Sequence, residues 1–122
     1  MIPCDHAEAA DTDLNVKFWK VPRALRVTRV LYINVTGLAE HATNAAIVAL
    51  KKGATTVASW NTDSDLSGSD VSIPANTFIE LNLTATDADR VFAAGDIMSL
   101  DIDESGTTTV PAGKVVVEGI YL

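Results

Sequence analysis

At 122 residues, with 48% apolar side chains and a formal net charge of −7, the chain has room for one buried core but not two, and is too apolar to be disordered throughout. No apolar run approaches the roughly 20 residues that span a bilayer, and Met1-Ile-Pro-Cys-Asp-His-Ala-Glu8 has neither the basic start nor the apolar centre of a signal peptide. Acids outnumber bases by 16 to 9, which argues against a nucleic-acid partner, whose phosphates are met through Lys and Arg.

The charge is unevenly spread. Residues 1–15 hold Asp5, Glu8, Asp11 and Asp13 and no base; residues 16–29 hold Lys17, Lys20, Arg23, Arg26 and Arg29 and no acid. Residues 61–122 hold eleven acids against Arg90 and Lys114. The ordinary reading of the basic segment is a set of solvated strand-face charges, although it also suits an anionic partner. Cys4 is the only cysteine, so no intrachain disulfide forms, the fold rests on packing, and synthesis in a reducing cytosol follows.

In chain order, residues 1–15 show neither helical nor strand periodicity and read as a flexible N-terminal arm, leaving residues 16–122 for the folded domain. Asn15–Val21 alternates briefly before Pro22, as a short edge strand does. Phe18 and Trp19 are adjacent and therefore point to opposite sides of it. Arg23–Thr36 is the longest strand signal, half of it β-branched or aromatic, and its length predicts a central strand paired on both edges. Leu25, Val27, Leu31, Ile33 and Val35 share its apolar side, which Arg29 interrupts, the mark of a bulge or a change of neighbour.

Ala45–Leu50 and Thr55–Trp60 read as a hairpin turning at Lys51-Lys52-Gly53. After a polar loop over residues 61–70 come a short strand, Val71–Ile73, stopped by Pro74, and an alternating run, Thr77–Thr84, with Ile79, Leu81 and Leu83 on one side. Asp87–Arg90 is a turn or one helical turn. Ile97–Asp103 directs Met98, Leu100 and Ile102 inward, and Lys114–Leu122 closes the domain with Val115, Val117, Gly119 and Tyr121 on one side. No ten residues keep a 3.6 period. About eight short strands with turn signals between them predict an all-β, single-domain antiparallel sandwich of jelly-roll-like form.

Catalytic chemistry is hard to assemble from these residues. His6 and His41 lie in separate segments, and a Cys4–His6 pair falls short of the four ligands zinc prefers. No phosphate loop or nucleophile elbow is present. Asp63-x-Asp65-x-Ser67-Gly68 and Asp101-x-Asp103-x-Ser105-Gly106 match the opening of a calcium loop, but Pro74 and Ala112 stand where the twelfth-position acid belongs. Both read better as turns, so no metal or other cofactor is expected. Asn34-Val-Thr36 and Asn82-Leu-Thr84 match the glycosylation pattern by chance, inside strands.

Three stretches carry a resemblance: Ala24–Val35, Val91-Phe-Ala-Ala-Gly-Asp-Ile-Met-Ser-Leu100, and Val110-Pro-Ala-Gly-Lys-Val-Val-Val-Glu-Gly-Ile-Tyr-Leu122. An Ala-Gly-Asp turn before one strand and a Pro-Ala-Gly turn before another resemble head decoration (cement) and head-fibre proteins of tailed bacteriophages over residues 23–122. Trimeric jelly rolls of the C1q and tumour-necrosis-factor type share a similar Gly-Asp turn. The resemblance implies a non-enzymatic virion protein, made in the host cytoplasm, that sits as a homotrimer on the capsid surface and clamps capsomer junctions against the major capsid protein. An N-terminal segment often makes that contact, so Asp5, His6, Asp11, Asp13, Phe18, Trp19, Lys20 and Arg23 are the candidate partner-binding residues. The small apolar faces Ala45–Ala49 and Val115–Val117 are expected to pack around the trimer axis. A carbohydrate- or receptor-binding trimeric module is the alternative, and it would need aromatic side chains gathered on one rim.

Overall fold

A computed structural model describes residues 1–7, 9–10, 13–63, 72–106 and 108–122, with residues 9 and 10 as backbone alone. Among these residues the chain forms twelve strands and one 3-10 turn at Asp87–Arg90. One sheet takes the order β1-β12-β4-β7 from β1 (Ile2–His6), β12 (Gly113–Tyr121), β4 (Leu25–Asn34) and β7 (Ile79–Glu80), with β9 (Val91–Phe92) also on β4. The second sheet takes the order β3-β10-β5-β6-β8 from β3 (Leu14–Lys20), β10 (Ile97–Glu104), β5 (Ala46–Lys52), β6 (Thr55–Asn61) and β8 (Asn82–Leu83). A small clasp joins β2 (Ala9–Ala10) to β11 (Thr109–Val110). Every pairing between named strands is antiparallel. Apart from the β5–β6 hairpin, successive strands of the two large sheets change sheets, so the fold is an antiparallel sandwich of jelly-roll-like form.

β4 is central, as its length predicts, but its faces change over partway along. Leu25 and Val27 are buried, Thr28 and Arg29 are exposed, and Val30, Tyr32 and Asn34 are buried in turn. The cause is a bulge: Arg29 pairs with Glu118 and Val27 with Gly119, which leaves Thr28 as an extra residue in β4. Thr28 Oγ1 donates to the Glu118 carbonyl at 3.2 Å. Gly119 fits the kink because a Cβ there would lie 2.7 Å from the Arg26 carbonyl oxygen. The expected inward set is therefore corrected beyond Arg29: Leu31, Ile33 and Val35 face outward, and Val30, Tyr32 and Asn34 take their place.

Between the sheets Val27, Val30, Tyr32, Val115 and Val117 meet Val48, Leu50, Val57, Met98 and Leu100. Each fully buried large aliphatic contributes about 1.5–3 kcal/mol relative to exposure. The run from Thr77 to Thr84 keeps its alternation but does not stay in one sheet. Ile79 pairs with Tyr32 in the first sheet and Asn82 with Ser59 in the second, with the Leu81 amide donating to the Val30 carbonyl at 2.8 Å. That crossing covers one side of the sandwich. Val71 lies outside the described residues, and Ile73 forms only an isolated bridge to Leu38.

Residues 2–6 are not a free arm. Ile2–His6 lies along β12 in the register Ile2–Val117, Cys4–Val115 and His6–Gly113, with Cys4 and His6 buried. Pro3, which lacks an N–H, is tolerated because β1 is an edge strand. Likewise Ala45, Ala46, Val48, Ala49, Val115 and Val117 are buried in the protomer's own structure. The small apolar faces expected at a trimer axis are already covered within one chain.

Candidate functional site

Opposite the Ile79–Asn82 crossing, the edges of the two sheets stand apart. β1 ends one sheet and β3 ends the other, and between them runs a groove of about 450 Å³. Ile2, Pro3, Phe18, Trp19, Leu25 and Tyr121 line it. β3 is bulged here: Met98 pairs with Trp19 and Ser99 with Lys17, leaving Phe18 as the extra residue. A regular strand would send Phe18 and Trp19 to opposite sides. The bulge lets both pack, half-buried, against the core and line the same groove. The Arg23 guanidinium lies 4.4 Å from the centre of the Tyr121 ring, within cation–π range.

The candidate partner-binding residues thus divide. Phe18 and Trp19 line the groove and Arg23 lies over its Tyr121, while Lys20 follows Trp19 at the end of β3; Lys20 and Arg23 are exposed. Asp5 lies on the far face of β1, 3.9 Å from Lys114 Nζ. Asp13 is on the second sheet's rim, where its Oδ1 accepts the Glu104 amide at 3.1 Å. A hydrogen bond that protonated Asp103 donates to the Asp13 carboxylate, with burial and the Asp13 and Asp101 charges adding to it, raises the pKa of Asp103. Asp11 lies outside the described residues.

His6 is a core residue and is removed from the exposed set. It is 6% exposed and stacks on Tyr32 with ring centres 5.7 Å apart. Its Nδ1 lies 2.7 Å from the Ala7 carbonyl oxygen, which fixes Nδ1 as the protonated nitrogen; Nε2 then accepts from the Tyr32 hydroxyl at 2.8 Å. Asn34 Nδ2 donates to the same hydroxyl oxygen at 3.4 Å. Gly113 makes room for the ring, since a Cβ there would lie 3.0 Å from His6 Nε2. Burial lowers the pKa of His6, with the Ala7 carbonyl and Asp5 opposing. With both ring nitrogens engaged, His6 has no lone pair free to join Cys4 at a metal. Burial, with Asp5 second, raises the Cys4 thiol.

The Asp-rich loops are brought to one end of the second sheet. Asp63, Asp103, Glu104 and Ser105 line a hollow of about 190 Å³, and Asp65, Ser67 and Gly68 lie outside the described residues. Among the described residues no group of three or more His, Cys, Asp or Glu is arranged to hold a metal ion. Asn34 is buried, with its Oδ1 accepting the Gly37 amide at 2.6 Å, so it is closed to glycosylation as folded.

The outer face of the first sheet is the feature the sequence reading missed. By alternation and register, Pro3, Val116 and Leu31 form one outward row, and Asp5, Lys114 and Ile33 the next. Beyond them Val35 is 69% and Phe78 51% exposed, and together with Ile33 and Lys114 they border a shallow hollow of about 430 Å³. The signal was present in Leu31, Ile33 and Val35, but it was assigned to the core. Comparison with known proteins finds no match: no family model, curated protein or solved structure is significantly similar to this chain.

Proposed function

We propose that this chain is a non-enzymatic virion structural protein, a homotrimer that seats on the outer surface of a tailed-bacteriophage capsid and stabilises the junctions between capsomers through the major capsid protein. The observation that carries the reading is the apolar outer face of the first sheet. A free sandwich normally clothes its outer faces in polar residues, and contiguous exposed apolar surface marks a place meant to be covered. Here Val35 and Phe78 are exposed, and the half-buried Ile33 and Leu31 continue the surface. The two turns behind the resemblance support it further: Ala94-Gly95 is a turn with Gly95 at φ 91°, leading into β10, and Pro111-Ala112 leads into β12.

Two measurements test the proposal. Light scattering on the purified protein should give three times the 12.9 kDa chain mass. Shells assembled from the capsid protein encoded beside this chain, then mixed with it, should carry it after sedimentation and resist heat better than bare shells. A monomer that leaves shells bare would end this reading.

A further inference from the structure

We propose that the groove between β1 and β3 is a docking site for an extended acidic segment of a partner protein, laid along the free edge of β3 with an apolar side chain between Phe18, Trp19 and Tyr121. This inference stands apart from the capsid reading, because it uses only the groove, its edges and its charges.

Three observations converge on it. The first is the backbone. β3 is a seven-residue strand that, among the described residues, pairs with β10 on one side only, so its other edge offers N–H and C=O groups at strand spacing. An extended peptide matches that spacing, whereas a sugar does not. The second is the floor, where the bulge at Phe18 turns two adjacent aromatic side chains into one pocket. Its volume suits a single aliphatic or aromatic anchor rather than a second domain.

The third is charge. Of the nine cations, Arg26 pairs with Asp87, Arg29 with Glu118, Lys51 with Asp101 and Lys114 with Asp5, whereas Lys17, also on β3, and Arg90 have no ion pair among the described residues. Lys52 donates to the carbonyls of Ala88 and Val91. Lys20, next to Trp19 at the end of β3, and Arg23, over Tyr121, are exposed and have no carboxylate partner among the described residues. On a chain of net charge −7, a basic, aromatic strip on an open strand edge selects an anionic segment and repels a basic one. Lys on an exposed edge also discourages unwanted strand pairing. A partner bearing carboxylates removes that barrier, so the same lysine gives selectivity.

The probes are two capped synthetic heptapeptides, one alternating Glu with Val around a central Phe and the other with every Glu replaced by Lys, plus a short oligogalacturonate. Each is titrated into the full chain while amide NMR spectra are recorded. The acidic peptide should shift the amides of residues 16–20 and the Trp19 indole, and bind at least about tenfold more weakly at roughly 0.5 M than at roughly 0.05 M salt. The Lys20→Glu/Arg23→Glu double variant, whose spectrum itself reports folding, should lose about tenfold or more in affinity. Phe18→Ala should lose about fivefold, and Phe78→Ala, on the other face, nothing. Equal binding of both peptides, shifts away from β3, or no shift at millimolar peptide would overturn the proposal. So would oligogalacturonate shifting these residues when the acidic peptide does not, which would make the groove a sugar site.

Discussion

The two outer faces of this sandwich are built to opposite rules. On the second sheet, Lys51 meets Asp101 at 3.3 Å, Asn15 Nδ2 donates to Asp101 Oδ1 at 3.4 Å, and Lys17 and Asp103 are exposed. On the first sheet the ion pairs Arg29–Glu118 and Lys114–Asp5 flank the row that holds Leu31 and Val116. Val116, although outward-facing, is only 8% exposed. The second face carries its ion pair at the middle, with Ile47 and Ile97 exposed towards its ends, whereas the first holds its charges around an apolar centre, the usual layout of a contact surface. The contrast teaches that inward burial alone does not account for the apolar content of this chain.

The sharpest way to break the comparison is on β4, where Val30 faces in and Leu31 faces out. Val30→Asp would bury an unpaired carboxylate and should cost about 4 kcal/mol or more, enough to leave the chain unfolded by circular dichroism. Leu31→Asp should fold with a stability loss of about 1 kcal/mol or less. Similar losses from both would mean that the bulge at Thr28 does not switch the faces.

Next in size is self-association. Leu31→Asp and Phe78→Asp, on the apolar face, should each weaken the proposed trimer at least about tenfold in sedimentation or light scattering. Ile47→Asp, on the charged sheet, should leave the mass unchanged. A trimer indifferent to the first two and broken by the third would reverse the assignment of faces.

Acid should act through the inner side of the first sheet. The folded pKa of His6 is lowered from 6.5, so between that folded value and 6.5 the unfolded chain binds more protons. The stability this group contributes is fully present above pH 6.5 and is lost as pH falls towards the folded pKa. Urea unfolding should show that decline in the wild type and a flatter profile in His6→Gln.

The smallest effect belongs to the charged face. Asp103 has its pKa raised from 3.8, first by its hydrogen bond with Asp13. At neutral pH the carboxylate pair is therefore mildly unfavourable. Asp103→Asn should raise the melting temperature by no more than about one or two degrees, given the solvent screening, and the gain should vanish below pH 3.8. A loss of stability instead would show that Asp103 has a structural partner on that face.

Much of the fold was legible in alternation. Met98, Leu100 and Ile102 fall inward as read, because β10 is regular along those residues and flanked by β3 and β5. The phase of β4 was not, because Leu31 and Ile33 are as apolar as Val30 and Tyr32, and only the bulge decides between them. β1 was missed because its buried side chains are Cys4 and His6 rather than aliphatics, with Pro3 between strand-forming neighbours. At Leu81 the period survives a change of sheet, so no sequence signal marks the crossing. Half of the groove was visible as Phe18, Trp19, Lys20 and Arg23. Tyr121 joined them only through the pairing of β12 with β4, and the pattern assigned Phe18 and Trp19 to opposite sides, which the bulge prevents.

The position of β12 also governs the order in which the molecule can be built. All the strands of the second sheet have been synthesised once residue 104 is made, but β1 and β4 have no common neighbour until residues 113–121 are added between them. Closure joins Ile2 to Val117 across nearly the whole chain, so ring-closure entropy is met late and in one step. Refolding should therefore belong to the slow, milliseconds-to-seconds regime of high-contact-order β proteins. Until residues 113–121 are added, one edge of β4 lacks its partner β12, and unpaired strand edges of that kind make incompletely folded chains prone to aggregate.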